Sequence, residues 1–379
     1  MRIAVMYRAA DETGGIGVYS RNIISNLLNI DQRNSYILLY KTEKHFGMFE
    51  KHQNVKELIL NYNNKALWDQ IFVPWIAHKE RCDIIFNTKF TVPLVTNAKT
   101  MMVTHGADYY IPPYQKVYNK MDVLYIKLFM PLYFRKCSFV SSVSDYCTEN
   151  FQRALPRYRD KIKTIYLAPN QMFKKNYDQE HLDNIKKKYS LPDKFILSII
   201  RYDEGTKNTR KNFASMIRAF ANCKQRHSIP HKYVVVGNNC YRYGIEHNLR
   251  AMGVHDDVLF PGLVPQEDLP AFYNLADLYL YPTIIEAFPI PLTEAMRCGC
   301  PIVTSNTTGC DELGADVALK VDPLDVDQIS DAIMQVINND QLRFEMIAKG
   351  LERSNIFSWQ KCAEETLQAF EQIYFERKN

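Results

Sequence analysis

Glu286 and Glu294 stand eight residues apart on either side of the segment Ala-Phe-Pro-Ile-Pro-Leu-Thr. Carboxylates at two depths of one pocket can accept hydrogen bonds from several hydroxyls of a single ligand. Two cations earlier in the chain could complete such a site. Arg201 ends the apolar run Lys194–Arg201, and Lys211 stands just before the apolar-periodic stretch 213–225. Arginine can grip a diphosphate with a bidentate fork and lysine can neutralise it as a point charge. Two Glu at this spacing are more often one solvated face of a helix, so the surrounding elements must decide.

Those elements favour a ligand. Ala276–Tyr281 reads as a buried strand, followed by a tight loop, a short helix from about Leu292 and a second buried strand over Pro301–Ser305. A loop leading from the carboxyl end of a parallel strand into a helix lies where open α/β sheets bind ligands, and the helix start offers N–H groups to an anion. Lys194–Arg201, the polar loop 202–212 and the helix 213–225 repeat the pattern. In the amino half, a strand over Met1–Tyr7 leads to Gly14, Gly15 and Gly17, then to an amphipathic run containing Ile23, Ile24, Leu27 and Leu28. That turn suits a ligand approaching the backbone, although its spacing is not the G-x-G-x-x-G of a dinucleotide site. Further strands at 36–40, 55–60, 83–86, 100–104, 139–144 and 163–167 alternate with helical stretches, which predicts a parallel α/β sheet. His105 follows one of these strand ends.

The string from Glu286 through Glu294-Ala-Met-x-x-Gly-x-Pro301-Ile-Val, with Phe288 inside it, resembles the donor-site motif of the retaining GT-B glycosyltransferases, in particular glycosyltransferase family 4. The resemblance runs in order from Gly14 to Trp359. It implies two Rossmann-like domains facing a cleft: residues 1–175, joined by a last helix 358–379 that crosses back, binding acceptor, and residues 176–357 binding a nucleotide-diphosphate sugar. It also implies roles for individual residues. Glu286 would contact the transferred sugar, Glu294 would hold the ribose, and the segment Phe288, Ile290 and Pro291 would lie against the diphosphate. Arg201 and a lysine would neutralise that diphosphate, His105 would reach the donor sugar, and Gly14, Gly15 and Gly17 would face the cleft. Lys207 has the family's usual distance from Arg201, whereas Lys211 has the right distance to the Ala219-Phe220 pair; Lys211 is chosen because a helix fixes where the chain enters the site while a loop can bulge. Two positions depart from the pattern. Pro289 replaces a glycine and has no N–H to donate, and Gly106 replaces the Asp that follows the histidine, with Asp108 a substitute.

Composition sets the outer bounds. A chain of 379 residues with 46% hydrophobic and 23% charged residues is ordinary globular protein of a length natural for two domains. Nine scattered cysteines without paired C-x-x-C motifs point to reduced thiols and argue against zinc. Neither a signal peptide nor a run long enough to span a membrane is evident. Residues 1–180 hold 25 Lys and Arg against 16 Asp and Glu, yet no recognition-helix, RNP or zinc-finger pattern suits nucleic acid. An anionic substrate or membrane surface fits better, the latter through the aromatic, basic segment Tyr114–Lys136, whose bland alternative is a core-packed helix. The expected activity is transfer of a mannose- or glucose-type hexose to a glycan or lipid-linked acceptor in polysaccharide or lipopolysaccharide synthesis. It would be retaining, independent of metal or cofactor, cytoplasmic and peripheral to the membrane. A sugar-nucleotide epimerase, a non-catalytic sugar-nucleotide-binding homologue and, least, a dehydrogenase are the alternatives.

Overall fold

The computed structural model describes residues 1–12, 14–175, 177–202 and 210–376. The chain divides into two compact units, Met1–Ala168 with Ser358–Asn379, and Pro169–Phe357.

The first unit is built on seven parallel strands, β1 (Arg2–Met6), β2 (Ser35–Tyr40), β3 (Val55–Ile59), β4 (Ile84–Asn87), β5 (Lys99–Thr104), β6 (Phe139–Ser142) and β7 (Ile162–Thr164). Their order is β3-β2-β1-β4-β5-β6-β7. β1, β4 and β6 are buried nearly end to end, as strands covered by helices on both faces must be. The last helix, Trp359–Phe375, belongs to this unit and opens with Ser358 accepting a hydrogen bond from the Lys361 amide. It lays Trp359 near Tyr19 of the helix Gly15–Ile30, with ring centroids 6.0 Å apart, and Phe370 edge-on to Phe86 of β4 at 5.2 Å.

The second unit has six parallel strands, β8 (Phe195–Ile199), β9 (Lys232–Val236), β10 (Val258–Gly262), β11 (Leu278–Tyr281), β12 (Ile302–Ser305) and β13 (Leu319–Val321), in the order β10-β9-β8-β11-β12-β13. Phe173 already packs edge-on against Tyr273 of this unit, and Asn274 donates to the Lys174 carbonyl, so the chain joins the second unit before residue 175.

Three elements differ from the sequence reading. β13 is an edge strand of three residues with a lysine at its centre, too short to show a period; only pairing with β12 makes it a strand. After the apolar strand 233–237 the sequence reads as a helix running to Met252; the helix spans only Tyr241–Glu246, because Asn248 and Gly253 take positive φ of 46° and 69° and turn the chain away. The segment 114–136 becomes a single turn over Pro112–Gln115 and a separate helix, Lys120–Lys136, capped by the Asn119 side chain.

Candidate active site

In the second unit the strand order reverses between β8 and β11, the point at which an open α/β sheet leaves a crevice outside its carboxyl edge. Arg201 lies two residues beyond β8, and its carbonyl accepts a 3.0 Å hydrogen bond from Tyr243 Oη. The returning end of the same loop is tied to the loop after β11. Asn212, in the left-handed region at φ 55°, donates from Nδ2 to the carbonyls of Pro282 and Pro323, and the Ile284 amide donates to the Arg210 carbonyl at 2.9 Å. This clamp fixes Lys211 above the crevice. Lys207, its competitor in the sequence, lies outside the described residues.

Lys211 Nζ is 2.5 Å from Glu286 Oε1 and 3.0 Å from Tyr281 Oη, and Tyr281 Oη donates to the same Glu286 oxygen at 3.2 Å. The ammonium also stands 5.5 Å from the centre of the Tyr281 ring. Burial opposes ionisation of Glu286, but the Lys211 and Arg210 charges, with hydrogen bonds from Lys211 and Tyr281, outweigh it and hold the carboxyl below its ordinary range. The backbone around Glu286 is equally constrained. Its carbonyl accepts from the Gly309 amide at 2.8 Å, and its amide donates to Thr308 Oγ1 at 3.3 Å. A Cβ on Gly309 would come within 2.3 Å of the Ala287 carbonyl oxygen, so only glycine permits this approach.

Glu294 sits in the opposite electrostatic setting. It lies in the helix Ile290–Cys298, only 8% exposed, and accepts a 3.0 Å hydrogen bond from Tyr273 Oη. Burial raises its pKa to about 7, and the Tyr273 hydrogen bond offsets only part of that. The two carboxylates therefore behave differently near neutrality: Glu286 is an anion held by a cation, and Glu294 exchanges a proton.

The segment between them begins the helix two residues earlier than its sequence suggests. Pro289 is the cap and Pro291 lies in the first turn, where proline costs no intrahelical bond. Phe288 is buried edge-on against Phe357. The Ile290 amide is engaged with the Phe288 carbonyl at 2.9 Å, so it is not simply open to a phosphate.

In the first unit, Gly14 takes φ 96° and caps the helix Gly15–Ile30. A Cβ on Gly17 would fall 1.9 Å from the Glu12 carbonyl oxygen, whereas one on Gly15 would meet nothing within 4 Å. Gly17 thus serves close packing of the turn, and Gly15 leaves its backbone approachable. His105 follows β5 and donates from Nε2 to the Thr88 carbonyl at 2.8 Å, with Tyr19 edge-on at 5.1 Å. Burial lowers its pKa to about 4, so at neutral pH it is an uncharged imidazole. Asp108, the substitute for the missing Asp after the histidine, is buried and accepts from Tyr118 Oη at 3.1 Å. Sequence reading missed three participants. Tyr281 and Tyr273 look like apolar core residues until their hydroxyls are seen on the carboxylates. Lys89, just beyond β4, holds Glu12 at 2.7 Å, and its place after a strand end was the available signal.

A comparison with protein families matches residues 183–353 to the model described as Glycosyl transferases group 1. The O-antigen chain mannosyltransferase B of Escherichia coli is 30% identical over 232 residues, covering 61% of this chain and 60% of that protein. Among solved structures, a glycosyltransferase from Rickettsia africae superposes with a TM-score of 0.77 at 18% identity, covering 99% of both chains. HepE from Anabaena, solved in complex with UDP and glucose, gives 0.74 at 18% identity over 98% of this chain and 100% of its own. The two doubly wound sheets are those of the GT-B fold shared with these structures, and Lys211, Glu286 and Glu294 all lie within the residues matched to that family model.

Proposed function

We propose that this protein is a retaining glycosyltransferase. It would move a mannose- or glucose-type hexose from a nucleotide-diphosphate sugar to a glycan or lipid-linked acceptor in the synthesis of surface polysaccharide or lipopolysaccharide. The observation that carries the reading is the Lys211–Glu286–Tyr281 cluster at the β8/β11 switch point, with the buried, proton-exchanging Glu294 eight residues on. The likeness to an O-antigen mannosyltransferase supports the choice of hexose and of product class.

The chemistry follows from the charges. The bond between the sugar C1 and the diphosphate oxygen breaks, an acceptor hydroxyl oxygen bonds to C1 on the same face, and the hydroxyl proton passes to the departing phosphate. Arg201, Arg210 and Lys211 supply the positive charge that the leaving oxygens need, so the reading includes no metal and no cofactor. Glu286 orients the sugar through its hydroxyls, and its carboxylate favours positive charge developing on the ring. Glu294 accepts from the ribose. His105, neutral with its Nε2 proton on the Thr88 carbonyl, would accept a hydrogen bond at Nδ1 without adding charge. A lipid-linked acceptor would put the enzyme at the cytoplasmic face of a membrane.

The test uses nucleoside-diphosphate mannose and glucose donors with and without candidate acceptors. Release of nucleoside diphosphate should depend on acceptor and survive EDTA, and NMR of the product should show the donor's anomeric configuration. Donor consumed without acceptor to give an epimeric sugar would make the protein an epimerase. Donor bound but never consumed would make it a binding homologue.

A further inference from the structure

The helix Lys120–Lys136 carries apolar residues on both of its faces. Its inner face delivers Met130, Tyr133 and Phe134 to a core cluster with Val92, Met102 and Val140. Its outer face presents Met121, Leu124, Leu128 and Leu132, exposed by 69%, 51%, 60% and 43%, at spacings of three and four that align them along one side of a helix. Tyr125 and Phe129, stacked at 4.7 Å, widen this stripe. The core-packed alternative in the sequence accounts for one face only.

A second exposed apolar row lies on a neighbouring helical stretch. Leu67, Ile71 and Trp75 recur at intervals of four and are exposed, with Lys79 Nζ 5.4 Å from the centre of the Trp75 indole. Gln70 of this stretch bonds the Val92 carbonyl and the Leu94 amide, and Val92 packs beside Met130 and Phe134, so the two helices flank one shared loop.

We infer that the outer face of the Lys120–Lys136 helix docks on an anionic lipid surface. A large exposed apolar stripe marks an interaction site, and the charges around this one select the occupant. Lys120, Lys127 and Arg135 are exposed along the helix, against the single acid Asp122. Long basic side chains can lie over apolar surface and reach headgroup phosphates while leucines enter the acyl boundary, and aromatic rings suit that depth. The basic excess of residues 1–180 adds attraction of the same sign. Among the described residues no helix is long and apolar enough to cross a membrane, so contact through this helix would lie along the surface. The inference deepens the lipid-linked acceptor reading, and rests on that reading for its purpose.

The experiment is sedimentation of the full chain with vesicles of phosphatidylcholine alone or mixed with phosphatidylglycerol. Binding is expected to the mixed vesicles at low salt, with release at high salt. Leu124→Gln with Leu128→Gln should weaken binding by at least about 10-fold. Replacing Lys120, Lys127 and Arg135 together by Gln should weaken it about 100-fold, from about 5-fold for each basic residue. All six positions changed or used as probes are exposed or flanking, and an unchanged thermal unfolding transition and circular dichroism spectrum show that the variants are folded. A second readout uses a Trp75→Phe background, in which the remaining tryptophans, Trp68 and Trp359, are buried. There the emission of a Leu128→Trp variant should shift to the blue with mixed vesicles. No sedimentation at low salt, undiminished binding of the leucine variant, or unshifted emission overturns the inference. So does a dimer in solution that the leucine variant dissociates, because a second copy would then cover the stripe. Failure of the wild-type chain to bind any nucleoside diphosphate would instead remove the glycosyltransferase reading while leaving the vesicle result standing.

Discussion

Replacing Glu294 by Gln should make the protein more stable at pH 8 and remove a proton from its ligand binding. Burial shifts this carboxyl from 4.5 to about 7, so the folded protein holds a proton that the unfolded chain has given up. A folded-state pKa above the unfolded one contributes stability that is fully present below about 4.5 and is lost as pH rises through about 7. The loss amounts to roughly 3 kcal/mol by pH 8. Gln keeps the shape and an acceptor for Tyr273 Oη but carries no charge, so its unfolding free energy should lack this slope and exceed the wild type's at pH 8 by about 2 to 3 kcal/mol. Ribose hydroxyls arriving at Glu294 should favour the ionised form, so the wild type should release about half a proton at pH 7 on binding nucleoside diphosphate. Calorimetry in buffers of different ionisation enthalpy measures that number, and urea titrations across pH measure the slope. An equal slope in the Gln variant, or the same proton release from both proteins, would refute the reasoning.

Removing Lys211 leaves Glu286 buried without its principal cation, so Lys211→Ala should cost about 3 kcal/mol of stability and roughly 10²- to 10³-fold in turnover, with Arg201→Ala matching the kinetic loss; steady-state rates and urea titration check both, and a severe Lys207→Ala beside a mild Lys211→Ala would reverse the assignment. Glu286→Gln should lower turnover while nucleoside-diphosphate affinity holds, and Glu294→Gln should weaken that affinity about 10- to 100-fold, the scale of a hydrogen bond to a charged group; equal affinity losses measured by calorimetry would contradict the division of roles. Gly309→Ala places a Cβ 2.3 Å from the Ala287 carbonyl oxygen and should push the Glu286 loop aside, cutting turnover more than it lowers the unfolding temperature.

Much of the architecture was legible in the order of the residues. Buried runs such as Phe195–Ile199 and Leu278–Tyr281 are apolar because parallel strands are covered on both faces, and the helix that follows each places Lys211 and Glu294 after a strand end. The spacing of Glu286 and Glu294 and the position of Arg201 are local facts, and the chain states them outright. What the sequence could not state are relations between segments far apart in the chain. It chose Lys211 over Lys207 from spacing alone; what only the tertiary structure adds is that Lys211 lies on Glu286, 75 residues away, because Asn212 and Arg210 are tied to the loop after β11. It showed Tyr281 and Tyr273 as apolar bulk, and only folding brings their hydroxyls to the two carboxylates. It gave the two carboxylates different depths and partners but no difference in proton affinity, which comes from a cation at one and burial at the other. The Lys120–Lys136 helix is the same lesson on the surface. Its sequence has apolar residues on more than one side, and composition cannot say which side a sheet will cover; packing on β5 and β6 took Met130 and Phe134 and left Leu124 and Leu128 outside, because a helix laid on one face of a sheet buries only the side turned to it.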